Sequence, residues 1–342
     1  MSSSNIYDES YIIRQADKND VDKIMSFIDK EWKKGHILGT NRVLFENEFL
    51  EENGSVNFMI AINKETGMIE SIVGFLKASQ NKDCLDLWDV MWKTRENNIA
   101  LLGVELIKRR NDILKPRNVL GIGDNPKTAV PILKYFFKQK TDKMLHFYRL
   151  GNTADYRIAK INAYSKQNID SKVNNEITEF FSIDELSESC DFLNNTDVIP
   201  YKDSWYYEHK FIRNPFYKYR IFGIKSSFSV NAIIVTRKQE YKGRNAIRIV
   251  DYAGDQNLLP GAIDNLLSII TDGNTEYIDF YSFGFDPEIL LDAGFKKLDE
   301  NDPNIIPDYF HPFVQKNIDI WIDYKNEKTL FFKADGDQDR PN

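Results

Sequence analysis

Apolar positions along the chain alternate between the two-residue period of strands and the three-to-four-residue spacing of helices. Residues 11–14 predict a short strand; Asp17 or Asn19 then caps a helix to about Trp32, carried by Val21, Ile24, Met25, Phe27 and Ile28. The polar loop 33–40 leads to a second helix around 42–51. Residues 56–62 and 69–76 read as a hairpin across a turn containing Gly67. Residues 85–92 predict another strand, 93–100 are polar, and from Leu101 the positions Leu102, Leu106, Ile107 and 110–113 trace an amphipathic helix. Residues 119–122 form the next strand, Asp124-Asn125-Pro126 starts a helix ending near Phe137, and 144–150 is expected to close the unit as its last strand. This order implies an α/β layer arrangement with a mixed sheet.

The polar stretch from about residue 151, rich in Asn, Ser and Lys, lacks such periodicity. It divides the chain into a first domain (1–155), a linker (156–172) and a second domain (173–342). The second half then repeats the first. A strand at 176–181 is followed by Ser182 and Glu185, a capping box for the helix 183–193. Strands at 219–224, 232–236 and 246–252 precede a helix with Ile263, Leu266, Leu267 and Ile270. The strand 277–283 ends in Gly284-Phe285-Asp286-Pro287, matching Gly123-Asp124-Asn125-Pro126, and both copies continue to a helix ending in Phe-Lys, at Phe137-Lys138 and Phe295-Lys296. The chain reads as a tandem duplication of one α/β unit.

At 342 residues, 42% hydrophobic and 13% aromatic, there is material for about two domains with a sizeable core. A net charge of -7 argues against broad binding to a nucleic-acid backbone. Two cysteines, Cys84 and Cys190, suggest neither a disulfide framework nor a metal site and point to a reducing compartment. His36, His146, His209 and His311 occur singly, so no metal is expected. The start lacks the basic and apolar parts of a signal peptide, and no apolar run approaches the ~20 residues of a membrane span. A cytoplasmic protein without membrane insertion, acting as a monomer, is the expectation.

The strand, polar loop and helix start across residues 88–103 suit an anion, because the first helical N–H groups have no intrahelical partner. Arg95 would supply charge, and Gly103 would let a ligand approach the backbone. An ordinary strand–helix connection fits the same pattern. His36, in the loop after the first long helix, is the candidate base, with an ordinary pKa of ~6.5. Tyr135 is a candidate acid, although Phe136 and Phe137 beside it also suit a core position. Asp89 and Asp86 would bind an amine or serve as strand solubility charges. His146 reads as structural, and His209 is a lesser base candidate. The segment 335–339 resembles a calcium loop but lacks the later glutamate; a tail folded back over a ligand, its aspartates hydrogen-bonding hydroxyls, is the expectation, and a disordered acidic tail the alternative. No serine or cysteine nucleophile motif is evident.

Trp92-Lys93-Thr94-Arg95 through Ala100-Leu101-Leu102-Gly103, together with Asn125, Ala129, Leu133 and Tyr135, resembles the two motifs of the GNAT acyl-CoA-dependent N-acyltransferases, here in tandem. The fold this implies is two GNAT-like domains, each a mixed twisted sheet flanked by helices. Gly35-His36-Ile37-Leu38, Asn214-Pro-Phe-Tyr-Lys-Tyr219, Leu259-Pro-Gly261 and the end 333–342 extend the likeness to tandem acyltransferases of bacterial O-antigen and surface-polysaccharide synthesis, which acylate a nucleotide-linked amino sugar. The resemblance implies acyl-CoA as co-substrate with no permanently bound cofactor. Its grip would come from Val90, Met91, Trp92, Lys93, Arg95, Ala100, Leu102, Gly103 and Asn125, with Lys108, Arg109 and Arg110 near the CoA phosphates. Backbone N–H groups of Val90–Trp92 would stabilise the oxyanion. The acceptor, an amino deoxy sugar on dTDP, would meet Tyr217, Tyr219, Tyr281, Tyr309, Asp335, Asp337 and Arg340. Asn98 and Leu101 replace customary glycines, which would rearrange pyrophosphate binding. The second copy lacks an arginine before its loop and carries Asp251 and Asp255 there, which places acyl-CoA on the first copy. Transfer to a peptide or peptidoglycan amine, and a non-catalytic CoA-binding or sensing module, are the alternative readings.

Overall fold

The computed structural model describes residues 6–96, 98–153, 155–164 and 174–341. The strands of the first half are β1 (Tyr11–Asp17), β2 (Ser55–Asn63), β3 (Ile69–Lys77), β4 (Asp86–Thr94), β5 (Asn118–Ile122), β6 (Lys140–Lys143) and β7 (Leu145–Leu150). Those of the second are β8 (Ile177–Phe180), β9 (Tyr219–Ser226), β10 (Ser229–Tyr241), β11 (Arg244–Gly254), β12 (Thr275–Phe283), β13 (Lys296–Lys297), β14 (Trp321–Tyr324) and β15 (Phe331–Phe332). They form two sheets, ordered β1-β2-β3-β4-β5-β14-β6 and β13-β7-β12-β11-β10-β9-β8, with β15 added beside β12. One pair in each is parallel, β4 with β5 and β11 with β12. The second sheet is the first one repeated, strand for strand.

The repetition contains an exchange. Residues 144–150 were expected to close the first unit, but β7 pairs antiparallel with β12 in the second sheet, Leu145 opposite Ser282 and Leu150 opposite Tyr277. The vacant place beside β5 is taken by β14 from the far end of the chain, Ile322 opposite Ile122 and Asp323 opposite Gly121. A single residue, Met144, carries the chain from β6 in one sheet to β7 in the other, its N–H donating to Ile320 O at 2.9 Å. In this place Phe147 packs with Phe280 and Ile278, while Tyr148 packs with Tyr277 and Ile158.

Each sheet is covered as its alternation requires. The helix Leu102–Leu114 buries Leu102, Leu106 and Ile107 against Met59, Ala61 and Val73. On the opposite face Val21–Phe27, Ile37–Thr40 and Arg42–Phe49 enclose Phe58, Ile60, Ile72 and Met91. Leu259–Ile270 plays the same part in the second half. Between the halves, Trp88, Leu120, Ile122 and Ile322 pack with Val235, Val250, Tyr281 and Phe331 into one shared core.

The end of the chain is folded and buried, not a free acidic tail. Lys333 pairs with Asp308 (2.8 Å), Asp335 with Lys202 (2.6 Å), and Asp339 with Arg237 (2.5 Å) and the Tyr219 hydroxyl (2.8 Å). Of the expected linker, 165–172 lie outside the described residues. Its beginning is docked: the N–H groups of Arg157, Ile158 and Ala159 donate to the Glu276 carboxylate at 2.6–3.0 Å.

Candidate active site

The site forms where β4 and β5 part. They pair only from Asp86/Asn118 to Asp89/Gly121. Beyond that row β4 bulges: Asp89 faces Phe75 and Met91 faces Gly74, so Val90 is an extra residue in the strand. Bulge and fork bring Val90, Met91 and Trp92 to the wall of a cleft of about 1060 Å³. The helix start Leu102–Val104 forms a second wall, the turn after β5 a third, and Tyr309, Asp337, Gln338 and Arg340 a fourth. Of the residues singled out from the sequence, the cleft also collects His36, Asp89, Lys93, Arg95, Ala100, Gly103 and Asn125.

The loop into the helix shows how the two missing glycines are accommodated. Leu101 takes the left-handed conformation a glycine would adopt, φ 63° and ψ 19°. Asn98 is a clamp: Oδ1 accepts from the Tyr11 hydroxyl (2.9 Å), and Nδ2 donates to Glu70 (3.2 Å) and to Arg95 O (3.1 Å). Gly103 serves a different purpose from the one expected. A Cβ there would fall 1.9 Å from Trp92 Nε1, so the indole, not a ligand, occupies the space beside its backbone.

The expected basic patch is largely committed to internal partners. Arg95 pairs with Glu31 at 3.1 Å and lies over the Phe27 ring. Arg109 is held by Asp8 (2.7 Å) and Glu105 (2.9 Å). Arg110 is wholly buried and paired with Asp89, so neither its charge nor that of Asp89 is free for a ligand. Asp86 is not a solubility charge either: it is buried and accepts from Arg117, Asn118 and Tyr201 N–H.

His36 caps the turn Ile37–Thr40, its Nδ1 accepting from Leu38 N–H at 3.2 Å, while Nε2 lies 3.4 Å from Arg340 Nη1. Two N–H donors thus face a neutral ring that can accept only one, and a proton on either nitrogen would displace a partner. Burial, then Arg340 and Lys33, push its pKa down to about 4. The ring is uncharged at neutral pH and poorly disposed to take a proton.

A feature not recognised in the sequence is a row of carboxyl groups at the fork. Asp89, Gly121 and Asp323 are aligned across β4, β5 and β14. Only a glycine fits the middle position, because a Cβ on Gly121 would lie 1.7 Å from Asp323 Oδ2 and 2.9 Å from Asp124 Oδ2. Asp323 is buried and Asp124 lines the cleft. With both ionised, Asp124 Oδ2 and the two Asp323 oxygens have no donor; one proton on the pair supplies the hydrogen bond between them. Burial raises Asp124 to about 7, with Asp89 and Asp337 adding to the rise and the bond from Asp323 opposing it. Burial and then Asp124 raise Asp323 well above the usual carboxylate range. In the sequence Asp124 reads only as part of a helix start, and Asp323 is remote in the chain.

Several expected residues lie elsewhere. Tyr135 is 70% exposed, packed edge-on to Phe136, because the helix begins at Ala129 rather than at Pro126. The Asn125 carbonyl accepts from Thr128, Ala129 and Val130, a turn that delays the helix and sends Ile132 and Leu133 to the cleft instead. Tyr217 lies under Arg237 in a separate cavity, Tyr219 is bonded to Asp339, and Tyr281 is buried under the His146 ring at 3.8 Å. Asp335 is spent on Lys202. His209 stacks on Trp205 in another pocket between the halves. Trp32, 42% exposed at the cleft mouth, was not singled out from the sequence.

No protein-family model and no curated protein matches the chain by sequence. Solved structures do match in shape. A conserved protein of unknown function from Enterococcus faecalis V583, named "Probable N-Acyltransferase", aligns with TM-score 0.54 at 8% identity, over 93% of this chain and 73% of its own. A GCN5-related N-acetyltransferase from Anabaena variabilis ATCC 29413 aligns with TM-score 0.53 at 8% identity, over 92% and 72%. Saccharomyces cerevisiae N-myristoyltransferase with bound myristoyl-CoA gives TM-score 0.47 at 12% identity, over 94% and 79%. Among the described residues no helix is long and apolar enough to cross a membrane. The chain carries the GNAT-type fold in tandem, as two mixed sheets flanked by helices.

Proposed function

We propose that the protein is an acyl-CoA-dependent N-acyltransferase whose acceptor is the amine of a nucleotide-linked amino deoxy sugar, on dTDP, in cytoplasmic steps of surface-polysaccharide synthesis. The observation that carries the reading is the fork of β4 and β5, with the Val90 bulge on one arm and a helix start beside it. The pantetheine chain would lie between the strands, with its thioester oxygen toward the N–H groups of Val90–Trp92. Lys93 and the exposed Lys108 remain as cations near the CoA phosphates, since Arg95, Arg109 and Arg110 have partners of their own. Trp32 and Tyr309 offer aromatic faces at the cleft mouth, which suits a nucleotide base, while Arg340 on the same wall is held by Asp337 at 2.9 Å. The neutral amine attacks the thioester carbon, the carbon–sulfur bond breaks, and the thiolate leaves as CoA without a covalent enzyme intermediate.

Thermal shift with CoA and with dTDP tests the assignment. Stabilisation by both is expected. Stabilisation by CoA alone would redirect the acceptor to a peptide amine, and a response to neither would leave a non-catalytic module.

A further inference from the structure

We propose that the carboxyl pair Asp124–Asp323, seated over Gly121 at the fork, takes the proton from the acceptor's ammonium before the neutral amine attacks, with Asp124 as the proton acceptor and Asp323 as its positioning residue. The inference rests on the acyl-transfer reading of the cleft and adds the group that reading lacks, since His36 is held neutral between two donors.

The geometry supplies the argument. Asp124 stands on the cleft wall at the end of β5, just beyond the last β4–β5 pair, where a thioester between the strands would present its carbonyl. Behind it Asp323 is 1% exposed, and neither of its oxygens finds a donor unless the pair holds a proton. Asp323 keeps that proton and donates to Asp124, which leaves Asp124 as the ionised member. The surroundings complete the arrangement. Asp89 on β4 is neutralised by Arg110 from the helix Leu102–Leu114, and Asp337 in the terminal segment is paired with Arg340 at 2.9 Å. The pair is therefore flanked by acids with cations of their own, and no cation quenches Asp124 directly among the described residues. The titration of Asp124 near neutrality follows from this burial.

The proton balance is simple. The ammonium gives one proton to the Asp124 carboxylate, and the amine nitrogen bonds the thioester carbon. Collapse breaks the carbon–sulfur bond, the second nitrogen proton passes to the thiolate, and Asp124 later releases its proton to water. The products are amide, free CoA thiol and one proton.

The test uses the full chain with acetyl-CoA and a dTDP-linked amino deoxyhexose, reading thiol release from about pH 5.5 to 9. Wild-type kcat/KM should rise with a midpoint near 7. D124N should lose about 100-fold or more in kcat, with KM for acetyl-CoA within about twofold. D323N keeps a neutral donor and should retain the wild-type midpoint, whereas D323L removes the donor and should move it upward by about one unit. A purely structural role would lower rates without moving the midpoint. The proposal is overturned if D124N keeps more than about a third of kcat, or if D323L and D323N share one midpoint. If wild type is stabilised by CoA yet transfers to no amine offered, the acyl-transfer reading itself has failed, and this proposal with it.

Discussion

Replacing Gly121 by alanine tests the fork directly. The new Cβ would stand 1.7 Å from Asp323 Oδ2, and ordinary contact begins near 3.4 Å, so the carboxyl group must retreat by about that difference. It has little room: Asp323 is 1% exposed, and its strand is hydrogen-bonded on both sides, to β5 and β6. Overpacking of this kind costs about 1–3 kcal/mol, and parting two carboxyl groups that share a proton adds the cost of an unpaired buried acid, about 1–3 kcal/mol more. A total loss of about 2–6 kcal/mol is expected, read by urea unfolding at pH 7. Backbone strain does not enter, because Gly121 is not among the left-handed glycines. Gly273 is the control, having nothing within 4 Å of its would-be Cβ and no left-handed φ, and G273A should stay within about 0.5 kcal/mol of wild type. A loss below about 1 kcal/mol for G121A would refute the account of a filled space above this glycine.

Two other outcomes follow from the same site. L101G should stabilise the chain by about 0.5–1 kcal/mol in urea unfolding, because Leu101 holds a left-handed backbone while its side chain is 47% exposed; a loss of stability would show that the leucine packs more than it strains. His36 has a folded pKa near 4, below its ordinary 6.5, so the unfolded chain takes up the proton first and stability falls as pH drops through that window. H36N keeps an oxygen to cap Leu38 N–H and should flatten this acid loss by at most about 3 kcal/mol at pH 4, seen in unfolding curves from pH 7 down to pH 4, while leaving the midpoint of the pH–rate profile in place. A shifted midpoint would return His36 to the role of base.

The strands and helices around the cleft were legible because apolar spacing is a local signal. The strand at 85–92, the polar loop and the helix from Leu102 stand close to where their periodicity puts them. Neighbour relations were not legible. The side chains of β7 are buried on both faces, a pattern equally suited to a place beside β5 or beside β12, and only the folded chain decides. Gly103 shows the same ambiguity, since a missing side chain admits a ligand or an indole alike. Tyr219 and Tyr281 were judged by residue type, yet a hydroxyl bonded to Asp339 and a ring under His146 belong to the interior. Asp323 could not be found at all by reading along the chain. Its meaning depends on a strand crossing from the other half to lie against a glycine.

That crossing has a consequence for synthesis. The first half leaves the ribosome with β5 and β6 made but no strand to set between them, since β14 is translated only after β8 to β13 of the second sheet. Its own β7 must wait as well, for β12 to emerge. Domain-by-domain maturation, the usual course for chains of this size, is therefore closed to this one. The two halves depend on each other, and a chain cut short before residue 321 would present a first sheet with an open seam between β5 and β6.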